Sequence, residues 1–273
     1  VYANDRRSVI SLAIQEIPPQ LSPREMEFDK KKHQERIQHN PELKKIAALG
    51  AELGIPVRPV LKAAHHLESG ILSFVESRSS TELILLSWNK PTSAAHIYGS
   101  PQKTILGEAK TDVAILRPRG LDRDVQRLLI PAGGGPHARL GLKLAAEIAR
   151  SDQAELTLLR VANPSSDTEV EAEQRALEHL AEEVLDQPDP RVRNKVVVEE
   201  DIVSAIVQET EQGDYDLLVI GASDEWSVKS LLVGSIPDAV ADQVSCSVLL
   251  VRRHEVSGLN AIRRVVSSIR GWE

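Results

Sequence analysis

Five short runs in the second half of the chain are almost unbroken in valine, isoleucine and leucine. They are RLLIPA (Arg127 to Ala132), ELTLLRV (Glu155 to Val161), KVVVEE (Lys195 to Glu200), DLLVIG (Asp216 to Gly221) and SVLLVRR (Ser247 to Arg253). A strand with one face in water alternates apolar and polar residues. A strand that is apolar on both sides must be covered on both, which is the condition of a parallel sheet between two layers of helices. The segments between the runs supply those helices. ARLGLKLAAEIARS places Leu140, Leu142, Leu144, Ala145 and Ile148 on one broad face, and Asp167 to Leu185 is rich in Glu, Ala and Leu. DIVSAIVQETEQ opens on Asp201 as an N-cap, and a fourth helix is expected from Ser235 to Gln243. The order of elements predicts a doubly wound α/β domain over residues 127–255.

The first half repeats this pattern with one piece missing. SVISLAIQ (from Ser8), IPVRPVLKA (from Ile55), ELILLSW (from Glu82) and DVAILRP (from Asp112) read as strands. Helices are expected over Arg24 to Leu53, broken near Pro41, over Leu67 to Arg78, and from about Ser100 to Ala109. Repetition shows in the details: GSPQKTILGEAKTDVAIL starts at Gly99 and GSIPDAVADQVSCSVLLV at Gly234, and each Gly-Ser precedes the valine of its last strand (Val113, Val248) by the same interval. Two copies of one unit follow, residues 1–119 and 127–255, joined by a polar linker at 120–126. The first copy lacks the opening strand and most of the opening helix, VYANDRR reading as that helix's last turn. Because the first strand of a doubly wound sheet is central, its absence predicts a gap, to be filled by residues upstream of Val1.

Composition limits the partners. A formal net charge of −7 with no run of Lys or Arg excludes a phosphate-neutralising face, and so nucleic acid. One cysteine, Cys246, rules out an intramolecular disulfide and fits a reducing compartment, with the side chain expected in the core. No apolar run approaches the roughly 20 residues of a membrane-spanning helix, so this stretch is expected on the cytoplasmic side rather than within a bilayer.

The repeat resembles a tandem of universal stress protein domains, most closely in its second copy. Nucleotide-binding members of that family carry Gly-x-x-Gly, nine residues, then Gly-Ser or Gly-Thr after the fourth strand, and an aspartate at the end of the first. The second copy has Gly221, Ala222, Ser223 and Asp224, then nine residues, then Gly234 and Ser235. The resemblance thus implies a degenerate site for ATP or another adenine nucleotide at Gly133, Gly134, Gly221, Gly234 and Ser235. Glycines let backbone N–H groups approach phosphate, whereas Asp224 adds a β-carbon and a negative charge beside the anion, which weakens binding. Gly133 stands where the family's binders have aspartate, and in the first copy Ser87 replaces the first glycine. Each feature has a structural reading as well. Gly133 to Gly135 makes either a phosphate cradle or a tight turn, and Ser235 caps a helix with or without a ligand.

Other candidates carry less. His65 and His66 are adjacent, which on a helix sets the rings about 100° apart, against joint metal ligation. His137 follows the glycine turn, where it either meets an anion or faces solvent. No nucleophile–base arrangement is evident, and the chain is expected not to be an enzyme. Residues 256–273 form an amphipathic pattern suited to docking on the chain's own domain, on a partner or on a membrane surface. AAHHLESGI, ELILLSW, RPRGL and IPAGGGPHARLGLKLA resemble the cytosolic tails of prokaryotic amino-acid permease-like and cation–chloride cotransporter-like membrane proteins. That resemblance implies a regulatory and dimerisation module acting on the transmembrane domain of the same parent chain, its repeats packed as a pseudo-dimer through their last strands. A free-standing stress protein binding an adenine nucleotide is the alternative.

Overall fold

A computed structural model of the chain describes residues 9–78, 80–87, 101–121, 124–162, 167–185, 187–222 and 236–254. The first copy contains β1 (Val9–Glu16), α1 (Pro23–Phe28), α2 (Lys30–His39), α3 (Pro41–Glu52), β2 (Val57–Ala64), α4 (Leu67–Glu76), β3 (Leu83–Ser87), α5 (Pro101–Glu108) and β4 (Asp112–Arg117). The second contains β5 (Arg127–Pro131), α6 (Pro136–Asp152), β6 (Glu155–Ala162), α7 (Asp167–Val184), β7 (Val192–Val198), α8 (Ile202–Gln212), β8 (Leu217–Gly221), α9 (Ile236–Gln243) and β9 (Ser247–Arg252).

Seven strands form one sheet in the order β3-β4-β9-β8-β5-β6-β7, and β1 and β2 form a separate parallel pair. Within the second copy all neighbours are parallel and β5 is central, between β6 and β8. Its core residues Leu128, Leu129 and Ile130 have no exposed surface, as the two-sided apolar pattern requires. One face packs on Leu142, Ala145 and Ala149 of α6 and Leu177 and Leu180 of α7. The other packs on Ile206 of α8, Val240 and Ala241 of α9, and Ile105 and Leu106 of α5. Each such side chain, taken wholly out of water, contributes about 1.5–3 kcal/mol for a leucine or isoleucine.

The two copies join through their last strands. β4 and β9 pair antiparallel with Ile115 opposite Leu250, Val113 opposite Arg252 and Arg117 opposite Val248. Because the repeat aligns Val113 with Val248 and Arg117 with Arg252, equivalent residues face each other about Ile115 and Leu250. The register is that of a pseudo-two-fold axis, the isologous arrangement of a symmetric dimer built into one chain. Side chains obey the same symmetry. Arg252 donates to the carbonyls of Ala109 and Thr111 at the end of α5 (2.5 and 3.2 Å), and Arg117 donates to the carbonyl of Ala241 near the end of α9. The N–H of Arg119 donates to Ser247 Oγ at 2.8 Å, while the N–H of His254 donates to Asp112 Oδ1 at 2.7 Å. Cationic groups at helix C-termini also complement the helix dipoles.

Local chemistry places several boundaries away from the sequence expectation. The helical stretch over Arg24 to Leu53 breaks at Pro41 as expected and once more at Asp29, which makes three helices. Asp29 accepts from the N–H of Lys32 (3.1 Å) and so caps α2, and Asn40 accepts from Leu43 N–H (3.0 Å) with Pro41 opening α3. Such side chains compete with the backbone ladder and restart a helix. β7 begins at Val192 rather than Lys195, after a turn in which Asp189 accepts from the backbone N–H and the guanidinium of Arg191. No helix among the described residues is long and apolar enough to cross a membrane.

Candidate functional site

The second copy winds outward from β5 in both directions, through β6 to β7 and through β8 to β9. Where the winding reverses, the loops leaving neighbouring strands diverge and open a crevice at the carboxyl ends. A cleft of about 360 Å³ occupies that place, lined from the glycine turn, β6, α8, the end of β8 and the start of α9.

The glycine turn is its floor. Gly134 has φ +81°, in the left-handed region, so this position requires glycine for conformation, whereas a Cβ at Gly133 or Gly135 would meet nothing within 4 Å. Two arginines hold the turn in place. Arg160 of β6 donates from Nη1 to the carbonyl of Ala132 (3.0 Å) and pairs through Nε with Glu173 of α7. Arg139 of α6 donates from Nε to the carbonyl of Gly134 (3.1 Å), and its Nη1 lies 2.6 Å from Glu183. The hydrogen bond from Arg139 holds the Glu183 carboxyl below its usual range. Both guanidinium groups therefore bring a carboxylate with them, and the turn region is close to charge-balanced.

Gly221 has a packing duty that motif spacing does not reveal. A Cβ there would lie 2.9 Å from Ala138 N and 3.0 Å from the carbonyl carbon of His137, closer than any side chain tolerates. β8 and the first turn of α6 can touch only because this residue has no side chain. His137 lines the cleft, and its Nδ1 accepts the N–H of Arg253 at 3.0 Å. That bond fixes the neutral tautomer with its proton on Nε2.

The rest of the lining is aliphatic: Leu159 and Val161 from β6, Ile202 and Ile206 from α8, Ile220 from β8 and Ile236 from α9. Ile202 and Ile236 keep 43% and 41% of their surface exposed, which marks an apolar mouth. Among the described lining residues there is no carboxylate, where a ribose or adenine would need an acceptor. Arg160 is among the lining residues, and its guanidinium is paired with Glu173.

Of the residues singled out in the sequence, Gly133 and Gly221 line this cleft, while Gly134 shapes the turn between Gly133 and Gly135 without lining it. Asp224, Gly234 and Ser235, with Gly99, Ser100 and residues 256–273, lie outside the described residues. Sequence reasoning missed Arg160 and Arg139. The one available signal was a charged residue near the end of an otherwise apolar strand, RV at the close of ELTLLRV. The two adjacent histidines are not helical as supposed. They lie on the bend between β2 and α4, His66 in extended conformation at the N-cap position and His65 with Nδ1 3.3 Å from the carbonyl of Ile17. No group of three or more possible metal ligands occurs among the described residues. Cys246 is buried just ahead of β9, and burial pushes its thiol pKa up.

Residues 124–252 match the model of the Universal stress protein family. Over most of its length the chain shares its fold with three solved structures. A universal stress protein from Archaeoglobus fulgidus DSM 4304 is 16% identical, with a TM-score of 0.62 over 90% of this chain and 87% of that one. A protein of unknown function from Pseudomonas aeruginosa PAO1 is 17% identical, with a TM-score of 0.57 over 96% and 97%. The cytoplasmic domain of a prokaryotic cation chloride cotransporter is 13% identical, with a TM-score of 0.57 over 90% and 95%. At these identities the likeness is one of fold. No curated protein sequence matches the chain.

Proposed function

We propose, for a chain that carries a Universal stress protein domain at residues 124–252, that it is a cytosolic regulatory and dimerisation module of a membrane transporter, acting by position rather than by chemistry. The observation that carries this reading is the β4–β9 junction. It fuses two repeats into one seven-stranded sheet, with equivalent residues paired about Ile115 and Leu250. The cytoplasmic domain of a prokaryotic cation chloride cotransporter shares the fold over 95% of its own length, which makes a tail of a transporter a workable home for the fold.

The test is the size and location of the native polypeptide, detected with antibodies against this chain. The proposal expects a protein well above the 30.0 kDa of these residues, retained in membranes after alkaline carbonate extraction. A freely extractable protein of about that mass would overturn it. A second reading rests on the cleft at the reversal of the sheet, a place where open α/β sheets bind ligands. It makes the chain an adenine-nucleotide sensor. Calorimetric titration with ATP and Mg2+ separates the two: saturable micromolar binding, strengthened by Asp224→Gly, favours the sensor, and its absence from folded protein favours the scaffold.

A further inference from the structure

We infer that the outer edge of β7 is a docking surface for a second molecule of this chain, whose own β7 runs antiparallel to it about a two-fold axis at Val197. This contact rests on the dimerisation reading above, to which it gives a surface and a register.

The two repeats treat this edge differently. β7 is the counterpart of β2: Leu156 N–H donates to the carbonyl of Arg191 as Val9 N–H donates to that of Pro56, and Val192 and Val57 then open the two strands. Along a strand the backbone groups point alternately to one neighbour and the other. Arg191 and Glu199 bond to β6, and Pro56 and Ala64 bond to β1. The outward residues are therefore Asn194, Val196 and Val198 in β7, and Pro59, Leu61 and Ala63 in β2.

In the first repeat the edge is blunted. Pro59 has no N–H to offer, Ala63 N–H donates to the Glu27 carboxylate of α1 at 3.2 Å, and α1 and α2 pack against β2. These are devices that keep a sheet edge from pairing. In the second repeat Asn194 and Val198 stand where Pro59 and Ala63 do, and the devices are missing. Among the described residues nothing accepts from the N–H of Asn194, Val196 or Val198. β7 packs on β6 and on α7, a single helix of 18 residues that lies over both strands. Val198 keeps 48% of its surface exposed.

Charge selects the occupant. From Arg193 to Asp201 the sequence reads RNKVVVEED, basic before the three valines and acidic after them. A parallel neighbour of the same sequence would set like charges side by side. An antiparallel one with its axis at Val197 sets Lys195 opposite Glu199 and brings Arg193 toward Glu200 and Asp201, twice over by symmetry. Opposite charges directly across two strands are favourable and like charges unfavourable. The same register lets Val196 and Val198 exchange backbone hydrogen bonds, while Lys195 and Glu199 fall at the non-hydrogen-bonded pairs, where side chains approach more closely. Lys195 remains 46% exposed beyond its bond to Glu209, and Glu199 is exposed. A contact made by one short strand buries less than the roughly 1,200 Å² of a standard interface, so the dimer is expected to be weak and concentration-dependent.

The experiment follows the 273-residue chain by sedimentation and by residue-resolved hydrogen exchange from about 5 µM to about 1 mM, the range over which a weak interface fills. A dimer is expected to form as concentration rises, with at least tenfold slower exchange at the amides of Asn194, Val196 and Val198. Asn194→Pro gives β7 the residue that β2 already has and removes no bond to β6; it is expected to abolish the dimer. Glu199→Lys alters only an exposed side chain and is expected to weaken the dimer about tenfold. A chain that stays monomeric throughout overturns the inference. So does protection of the three amides that is complete at the lowest concentration, the sign of a cover within one molecule. A dimer in which those amides stay fast, or which both substitutions leave intact, overturns the β7 contact while dimerisation itself stands. Membrane retention of the native polypeptide reports on the transporter reading separately.

Discussion

Replacing Gly221 by alanine separates a glycine kept for packing from one kept for a ligand. The added Cβ would lie 2.9 Å from Ala138 N and 3.0 Å from the carbonyl carbon of His137, both backbone atoms in the first turn of a 17-residue helix. No flexible side chain can yield, so β8 or the start of α6 must move. Overpacking of this kind costs about 1–3 kcal/mol, offset by the ~0.4–1 kcal/mol that alanine gains through a less disordered unfolded chain. A net loss of about 1–2 kcal/mol lowers the melting temperature by roughly 3–6 °C for a protein of this size. Gly133→Ala is the control, because its Cβ meets nothing within 4 Å, and a shift within about 2 °C is expected. Thermal unfolding followed by circular dichroism reads both. If Gly221→Ala melted with Gly133→Ala, β8 and α6 would not be in the contact described, and the glycine would have to be explained by what it binds.

Further outcomes are expected elsewhere. Glu209 is 5% exposed and accepts from Lys195 Nζ at 2.6 Å and Tyr215 OH at 2.9 Å. Lys195→Met, which leaves that buried carboxylate without its countercharge, is expected to cost more than Glu209→Leu, which costs about 1–3 kcal/mol and leaves the Lys195 ammonium, 46% exposed, in water; equal losses in denaturant titrations would contradict this. Arg252→Met should quicken amide exchange at the end of α5 and Arg117→Met at the end of α9, each in the other copy, as the carbonyl partners dictate. Exchange confined to the mutated copy would refute the pseudo-symmetric clamp. Burial raises the pKa values of Cys246 and Tyr215 above their ordinary 9.0 and 10.0. Their neutral forms are favoured by folding, so this contribution is complete below about pH 9 and is lost as pH rises through the folded-state values. At the acid end, Arg191 holds Asp189 below its ordinary 3.8, and that contribution is lost as pH falls through its folded-state value. Melting temperature against pH measures both limbs, and Cys246→Ala should flatten the start of the alkaline one.

The parallel sheet was legible because burial on two faces leaves a composition that no other strand environment tolerates. The repeat was legible too, in the equal spacing from each Gly-Ser to Val113 and Val248, and the resemblance implied pairing through the last strands, but the register about Ile115 and Leu250 came only from the structure. The break at Asn40 was marked by Pro41, but the restart at Asp29 was harder to see, because a capping side chain acts over three residues inside a stretch whose average propensity remains helical. In the cleft, glycine positions could be located but not interpreted. Gly134 is needed for its φ, Gly221 for the approach of α6, and Gly133 for neither, and one letter stands for all three. Arg139 and Arg160 acquire their roles from carbonyls and carboxylates distant along the chain, which local pattern cannot reach.

Two identical subunits meeting about a true axis inherit every change twice, so neither half can be altered alone. Pairing β4 with β9 inside one polypeptide lifts that restriction. Gly221 closes β8 against α6 in one half, while Ser87 ends the corresponding strand, β3, in the other. The halves are free to change separately, and heredity can treat them as separate organs of a single gene.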